Sequence, residues 1–133
     1  MIVLDTNLLV RLATNDAPTE RAAVTDILGK HDCRILKTAL LEVEWVLRSR
    51  YGHATDQFAD FADYLLALSS LSIEDESVVR WAVDATRKGI DFADSMHLAV
   101  AVASGETFVT FDKKLQRKAS KLKGARIQLV DRH

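Results

Sequence analysis

Apolar residues along the chain follow two rhythms: short unbroken runs, and longer stretches in which they return every three or four positions. The first kind predicts strands and the second predicts helices. The run Ile2, Val3, Leu4 ends in Asp5 and reads as a fully buried strand. Thr6 and Asn7 are helix-capping residue types, so a helix is expected from there to about residue 14. Pro18 suits the first turn of a second helix. Ala22, Ala23, Ile27 and Leu28 follow at helical spacing, with Gly29 as the expected stop. A second strand is expected over 34–37.

Helical spacing then dominates. A helix is expected over 38–51, closed by Gly52. Another is expected over 55–70, with Phe58, Phe61, Ala62, Leu65 and Leu68 near one face. A third covers 75–88 up to Gly89, with Val78, Val79, Ala82 and Val83 as its apolar stripe. A fourth covers 91–104 up to Gly105. Residues 107–111 are β-branched and aromatic enough for a strand, and Asp112 follows directly. Residues 113–122 are expected to be helical and 127–130 to form a last strand. No repeat, low-complexity tract or linker interrupts this alternation. It predicts a single domain over 1–133, a three-layer α/β fold with a small, mostly parallel sheet of four or five strands flanked by helices.

Composition narrows the class further. With 48% hydrophobic residues the chain can bury a core, which excludes intrinsic disorder. One proline and five glycines are too few breakers for an all-β design. The single cysteine, Cys33, cannot form an internal disulfide, which fits a reducing compartment. Met1 runs straight into apolar residues with no basic leader, and no apolar stretch is long enough to span a bilayer. A cytoplasmic location is therefore expected. Charge is unevenly spread: residues 113–133 carry eight Lys/Arg against one acid, and the rest carry ten against eighteen. Such a basic segment can contact a polyanion, or be only a solvated helix face.

The candidate chemistry is acidic. Two strands expected to be buried end in an aspartate, Asp5 and Asp112, and parallel strands place such ends on one edge, where ligands bind in open sheets. Either residue alone also reads as a helix cap. Asp91 and Asp94 share one face at the start of a helix that is apolar nearly all round and is therefore expected to be buried. A carboxylate there needs a partner or a cation. Glu44, four residues before Arg48, reads as an exposed ion pair. Glu42, beside Ala39, Trp45 and Val46, reads as the half-buried and chemically relevant acid. Carboxylates that converge call for hard cations, and oxygen-only ligands suit Mg2+ or Mn2+ rather than zinc. Cys33 and His31, His53, His97 and His133 have no zinc-type spacing. Two divalent ions clamping a phosphodiester is the usual use of such a pocket.

These motifs, in this order, resemble the PIN domain and, within it, the VapC-type toxins of toxin–antitoxin pairs. The matching pieces are Ile2 to Asn7, Glu42 within 38–47, the run Asp91-Phe92-Ala93-Asp94 through Ala99, and Thr110-Phe111-Asp112. The resemblance implies an endoribonuclease that needs Mg2+ or Mn2+ and leaves 5′-phosphate and 3′-hydroxyl ends. It places the catalytic and metal-holding acids at Asp5, Glu42, Asp94 and Asp112, with Asp5 and Asp94 as direct ligands and Asp91 as a further nearby acid. Thr6, Asn7 and Thr110 match supporting positions. It also implies a homodimer inhibited by a cognate antitoxin, with DNA contacted only through that complex. The basic face of Lys114, Arg117, Lys118 and Lys121 is then expected to meet RNA phosphates.

Rival classes fit less well. A receiver domain wants paired acids after its first strand and a late lysine, whereas Asp5 stands alone. A haloacid-dehalogenase phosphatase wants Asp-x-Asp where this chain has Asp5-Thr6-Asn7. Four intact acids argue against a non-catalytic binding module. A PIN nuclease of RNA processing, without a toxin role, shares all the chemistry.

Overall fold

The computed structural model describes residues 1–131, so Arg132 and His133 lie outside the described residues. The chain divides into two compact units, residues 1–76 and those from Ser77 onward. Each is α/β, and every ladder is parallel.

The first unit runs β1 (Ile2–Val3), α1 (Thr6–Ala13), α2 (Pro18–Lys30), β2 (Cys33–Ile35), α3 (Lys37–Tyr51), α4 (Thr55–Ala67) and β3 (Leu71–Ile73). Its three strands pair in the order β1-β2-β3, with Ile2 opposite Cys33 and Cys33 opposite Leu71. Parallel neighbours need crossovers, and helix pairs supply them. Leu9, Leu40, Val43, Leu47 and Leu65 fill the core together with the buried thiol of Cys33. Burial pushes that thiol's pKa up, with nearby Asp32 adding to the effect, so the sulfur stays protonated and inert.

The second unit takes up α5 (Glu76–Arg87) from its second residue. It continues with α6 (Phe92–Ser104), β4 (Phe108–Thr110), α7 (Lys113–Ala119) and β5 (Ile127–Leu129). β4 pairs with β5, Phe108 opposite Ile127. Ala85, Ile90, Leu98, Leu115 and Ala119 form its buried cluster, with Trp81, Phe108, Leu122 and Ile127 packed against it. Among the described residues, no helix is long and apolar enough to cross a membrane.

Several expectations change. β1 is not fully buried: it is the edge of its ladder, and Val3 is 54% exposed while Leu4 is buried. α6 is buried along one stripe only (Phe92, Ser95, Met96, Leu98, Ala99), and Val100 on its other face is 45% exposed. Of the cap candidates Asp5, Thr6 and Asn7, it is Asp5 that caps α1. α7 stops at Ala119, so Lys121 lies beyond it. β3 was not expected, because a three-residue Leu-Ser-Ile segment has too little periodicity to register without its partner β2.

Gly29 does not stop α2 either; the helix continues to Lys30, and a Cβ at Gly29 would meet nothing within 4 Å. Glycine there only enlarges the entropy of the unfolded chain. Gly29→Ala is therefore expected to stabilise the protein by about 0.5 kcal/mol, read as a higher denaturation midpoint. A lower midpoint would contradict this account.

Candidate active site

In the first unit the parallel ladder puts the carboxyl ends of its strands on one edge. β1 leads there into Leu4, whose N–H donates to the Arg34 carbonyl at 2.9 Å, and then into Asp5. Asp5 Oδ1 accepts from the Thr6 N–H at 2.7 Å and caps α1. α3 starts at the same edge after β2. Thr38 and Glu42, one turn apart on α3, line a cavity of about 290 Å³ together with Asp5 and Thr6. Asn7, one residue further on, is exposed.

The face assignment within α3 is reversed from expectation. Ala39, Leu40, Val43, Glu44 and Leu47 form the buried stripe, so Glu44 lies under the helix and Glu42 is exposed. The stripe follows the i, i+3, i+4 rule through Leu40, Val43 and Leu47, and Glu44 falls on that seam. Its charge is held by Arg48, whose Nε donates at 2.9 Å. Glu42 owes its interest to the cavity it shares with Asp5, not to burial. Sequence reading also passed over Glu74. The Leu36 side chain cannot cap α3, and Glu74 Oε1, arriving from the end of β3, accepts from the Lys37 N–H at 2.9 Å instead. Only strand pairing makes that residue a neighbour.

In the second unit the turn between α5 and α6 leads into the acids. Gly89 adopts a φ of +96°, a left-handed conformation open to glycine. Ile90 is buried, and Asp91 caps α6, its Oδ2 accepting from the Asp94 N–H at 3.4 Å. The buried Ser95 hydroxyl donates to the Ile90 carbonyl at 3.2 Å and lies 3.2 Å from the Thr86 hydroxyl, which ties the start of α6 to α5. After β4, Asp112 caps α7, with Oδ1 accepting from the Leu115 N–H at 3.0 Å. The Asp112 N–H itself donates to Thr110 Oγ1 at 3.0 Å. Two helix starts thus present Asp91, Asp94 and Asp112 to one cavity of about 170 Å³, which Lys114 and Lys118 also line.

Asp94 differs from the two caps in being partly buried. Its pKa is raised, first by that burial and then by the charge of Asp91; Asp112 adds to the effect and His97 opposes it. The His97 ring stacks on Phe108 of β4, with centroids 6.3 Å apart. Asp91 and Asp112 each commit one carboxylate oxygen to a helix cap. Among the described residues, no group of three or more His, Cys, Asp or Glu side chains is placed so as to hold a metal ion. The donors of the second-unit cavity are nevertheless all carboxylate oxygens, the kind that suits a hard divalent cation. Arg117 is exposed and does not line the cavity, and neither does Lys121.

A family model described as PIN domain matches residues 2–121, and the match runs through both units. PIN domains are generally nucleases that use divalent metal ions. No curated protein matches the chain.

Proposed function

The chain belongs to the PIN domain family, and on that footing we propose that it is an endoribonuclease, dependent on Mg2+ or Mn2+, that hydrolyses RNA phosphodiesters as the toxin of a toxin–antitoxin pair. The observation that carries this reading is the half-buried Asp94 carboxyl in a cavity it shares with Asp91 and Asp112. Carboxylates that close repel one another, and a hard cation removes the cost. Asp94 and Asp112 would hold the ion in the second unit, with Asp91 as a further acid beside them. When bound, it neutralises charge on the phosphate and acts as a Lewis acid.

The chain's own groups do the rest. In the first unit Asp5 would serve as a ligand and Glu42 would orient water; in the second unit Asp112 would orient water. The cap hydrogen bonds of Asp5 and Asp112 hold those carboxylates still, and Thr110 holds the turn that carries Asp112. Pre-fixed groups of this sort need no reorganisation as charge develops.

A cytoplasmic location, a homodimer and a cognate antitoxin, through which alone DNA is contacted, complete the proposal. Of the apolar helix positions available for such contacts, Phe58 and Leu65 are core. Trp45 and Tyr64 remain exposed, with Phe61 stacked on Tyr64.

Purified protein incubated with total RNA is expected to cut it in Mg2+ or Mn2+, to stop in EDTA, and to resume when the ion is restored. Cleavage that persists in EDTA sinks the metal-dependent reading. A neighbouring reading frame whose product abolishes cleavage on mixing separates a toxin from a processing nuclease.

A further inference from the structure

Three carboxylates and two ammonium groups line the same small cavity, and they do not pair off. Among the described residues, neither Lys114 nor Lys118 lies within ion-pairing distance of Asp91, Asp94 or Asp112. Lys118 Nζ donates instead to the Gly89 carbonyl at 2.8 Å. A Cβ at Gly89 would lie 3.4 Å from Nζ, in ordinary van der Waals contact, so it is the left-handed φ of +96° rather than space that favours glycine there. An ammonium has three donors, so a carbonyl that takes one leaves the charge and two donors for something else. Lys114, one helical turn earlier on α7, has no hydrogen bond or ion pair among the described residues.

Carboxylates and ammonium groups kept apart in one cavity suit a ligand with both signs of charge. A bare cation would be repelled by the lysines and a bare anion by the aspartates, whereas a phosphodiester accompanied by its divalent ion satisfies both sets. We propose that Lys114 and Lys118 bind the phosphate group of RNA that enters this cavity beside Asp94, whereas Arg117 and Lys121, which do not line it, add only to the general positive field. This rests on the nuclease reading for its substrate. It divides the basic face of the α7 region into two residues that touch the reacting part of the chain and two that do not.

The test is equilibrium binding of a fluorescein-labelled single-stranded oligouridylate at a fixed concentration of Ca2+, a hard divalent ion for the carboxylates, by anisotropy, between about 50 and 200 mM monovalent salt. Lys114→Gln and Lys118→Gln are each expected to weaken binding several-fold and to flatten the slope of log K against log salt by about 0.7. Arg117→Gln and Lys121→Gln, with the same change of charge, are expected to do clearly less. Equal losses at all four positions, or none at Lys114 and Lys118, overturn the proposal. Among the described residues Lys114 has no partner to lose, so its variant decides the matter even if Lys118→Gln loosens the turn at Gly89. Cleavage in Mg2+ is measured alongside. Cleavage that is unaffected in Lys114→Gln removes the phosphate site and leaves the nuclease. Position-dependent binding with no cleavage in any divalent ion removes the nuclease and leaves the phosphate site.

Discussion

Asp94→Asn is expected to cut RNA hydrolysis by about 100-fold or more while leaving the fold as stable as before, or more stable. The activity loss follows from its assigned role. A carboxylate that holds a cation against a phosphate acts on charge that develops in the transition state, and removing one such group costs on the order of 10²–10³ in rate. The stability effect follows from its surroundings. Burial raises the pKa of Asp94, and the charges of Asp91 and Asp112 raise it further. A carboxyl whose folded-state pKa is raised favours the fold while it is protonated, at pH below its ordinary range. That contribution is lost as pH rises through the raised value. At neutral pH the ionised group therefore works against the fold, and asparagine, near in shape and uncharged, relieves it. Cleavage rates and thermal melts of metal-free protein, measured side by side, check both halves. Substantial remaining activity would remove Asp94 from the mechanism. A marked loss of stability would mean that the carboxylate is held by favourable contacts.

The second large effect is on stability. Leu98→Ala is expected to cost about 3 kcal/mol in chemical denaturation, the middle of the range for buried leucine truncations. Leu98 is 1% exposed and sits in the cluster with Ile90, Leu115, Ala85 and Ala119. Ile90 immediately precedes Asp91, and the Leu115 N–H is the one that Asp112 caps. The same side chain thus supports both helix starts that carry the acids. Activity measured below the melting temperature is expected to fall as well, because a site held loosely loses the benefit of fixed groups. Val100→Ala on the same helix, at a residue 45% exposed, is the control and is expected to change stability by less than about 0.5 kcal/mol. Equal losses at the two positions would contradict the burial pattern of α6.

The residue pattern by itself was enough for most elements. Helices announce themselves locally, through apolar spacing, a proline at residue 18 and glycines at 52 and 105, and these signals need no distant partner. The acids at the ends of apolar runs were visible for the same reason, since strand followed by aspartate followed by helix is a local motif. β3 was not legible, because three residues become a strand only by pairing with β2. The neighbourhood of Glu74 and the α3 start was hidden likewise, since pairing of residues far apart in sequence creates it.

Burial was the other quantity left to the tertiary structure. Periodicity tells which residues share a face but not which of two adjoining faces turns inward. Glu42 and Glu44 were therefore exchanged, and α6 proved buried on one side only. The division among the basic residues has the same origin. Lys114, Arg117, Lys118 and Lys121 are equivalent as a charged stripe. Packing of Leu115 and Ala119 into the core turns Lys114 and Lys118 toward the acids' cavity and leaves Arg117 and Lys121 outside it. Residue type and order thus set the kind of chemistry proposed, oxygen ligands for a hard cation. Long-range packing decided which of those side chains share a wall.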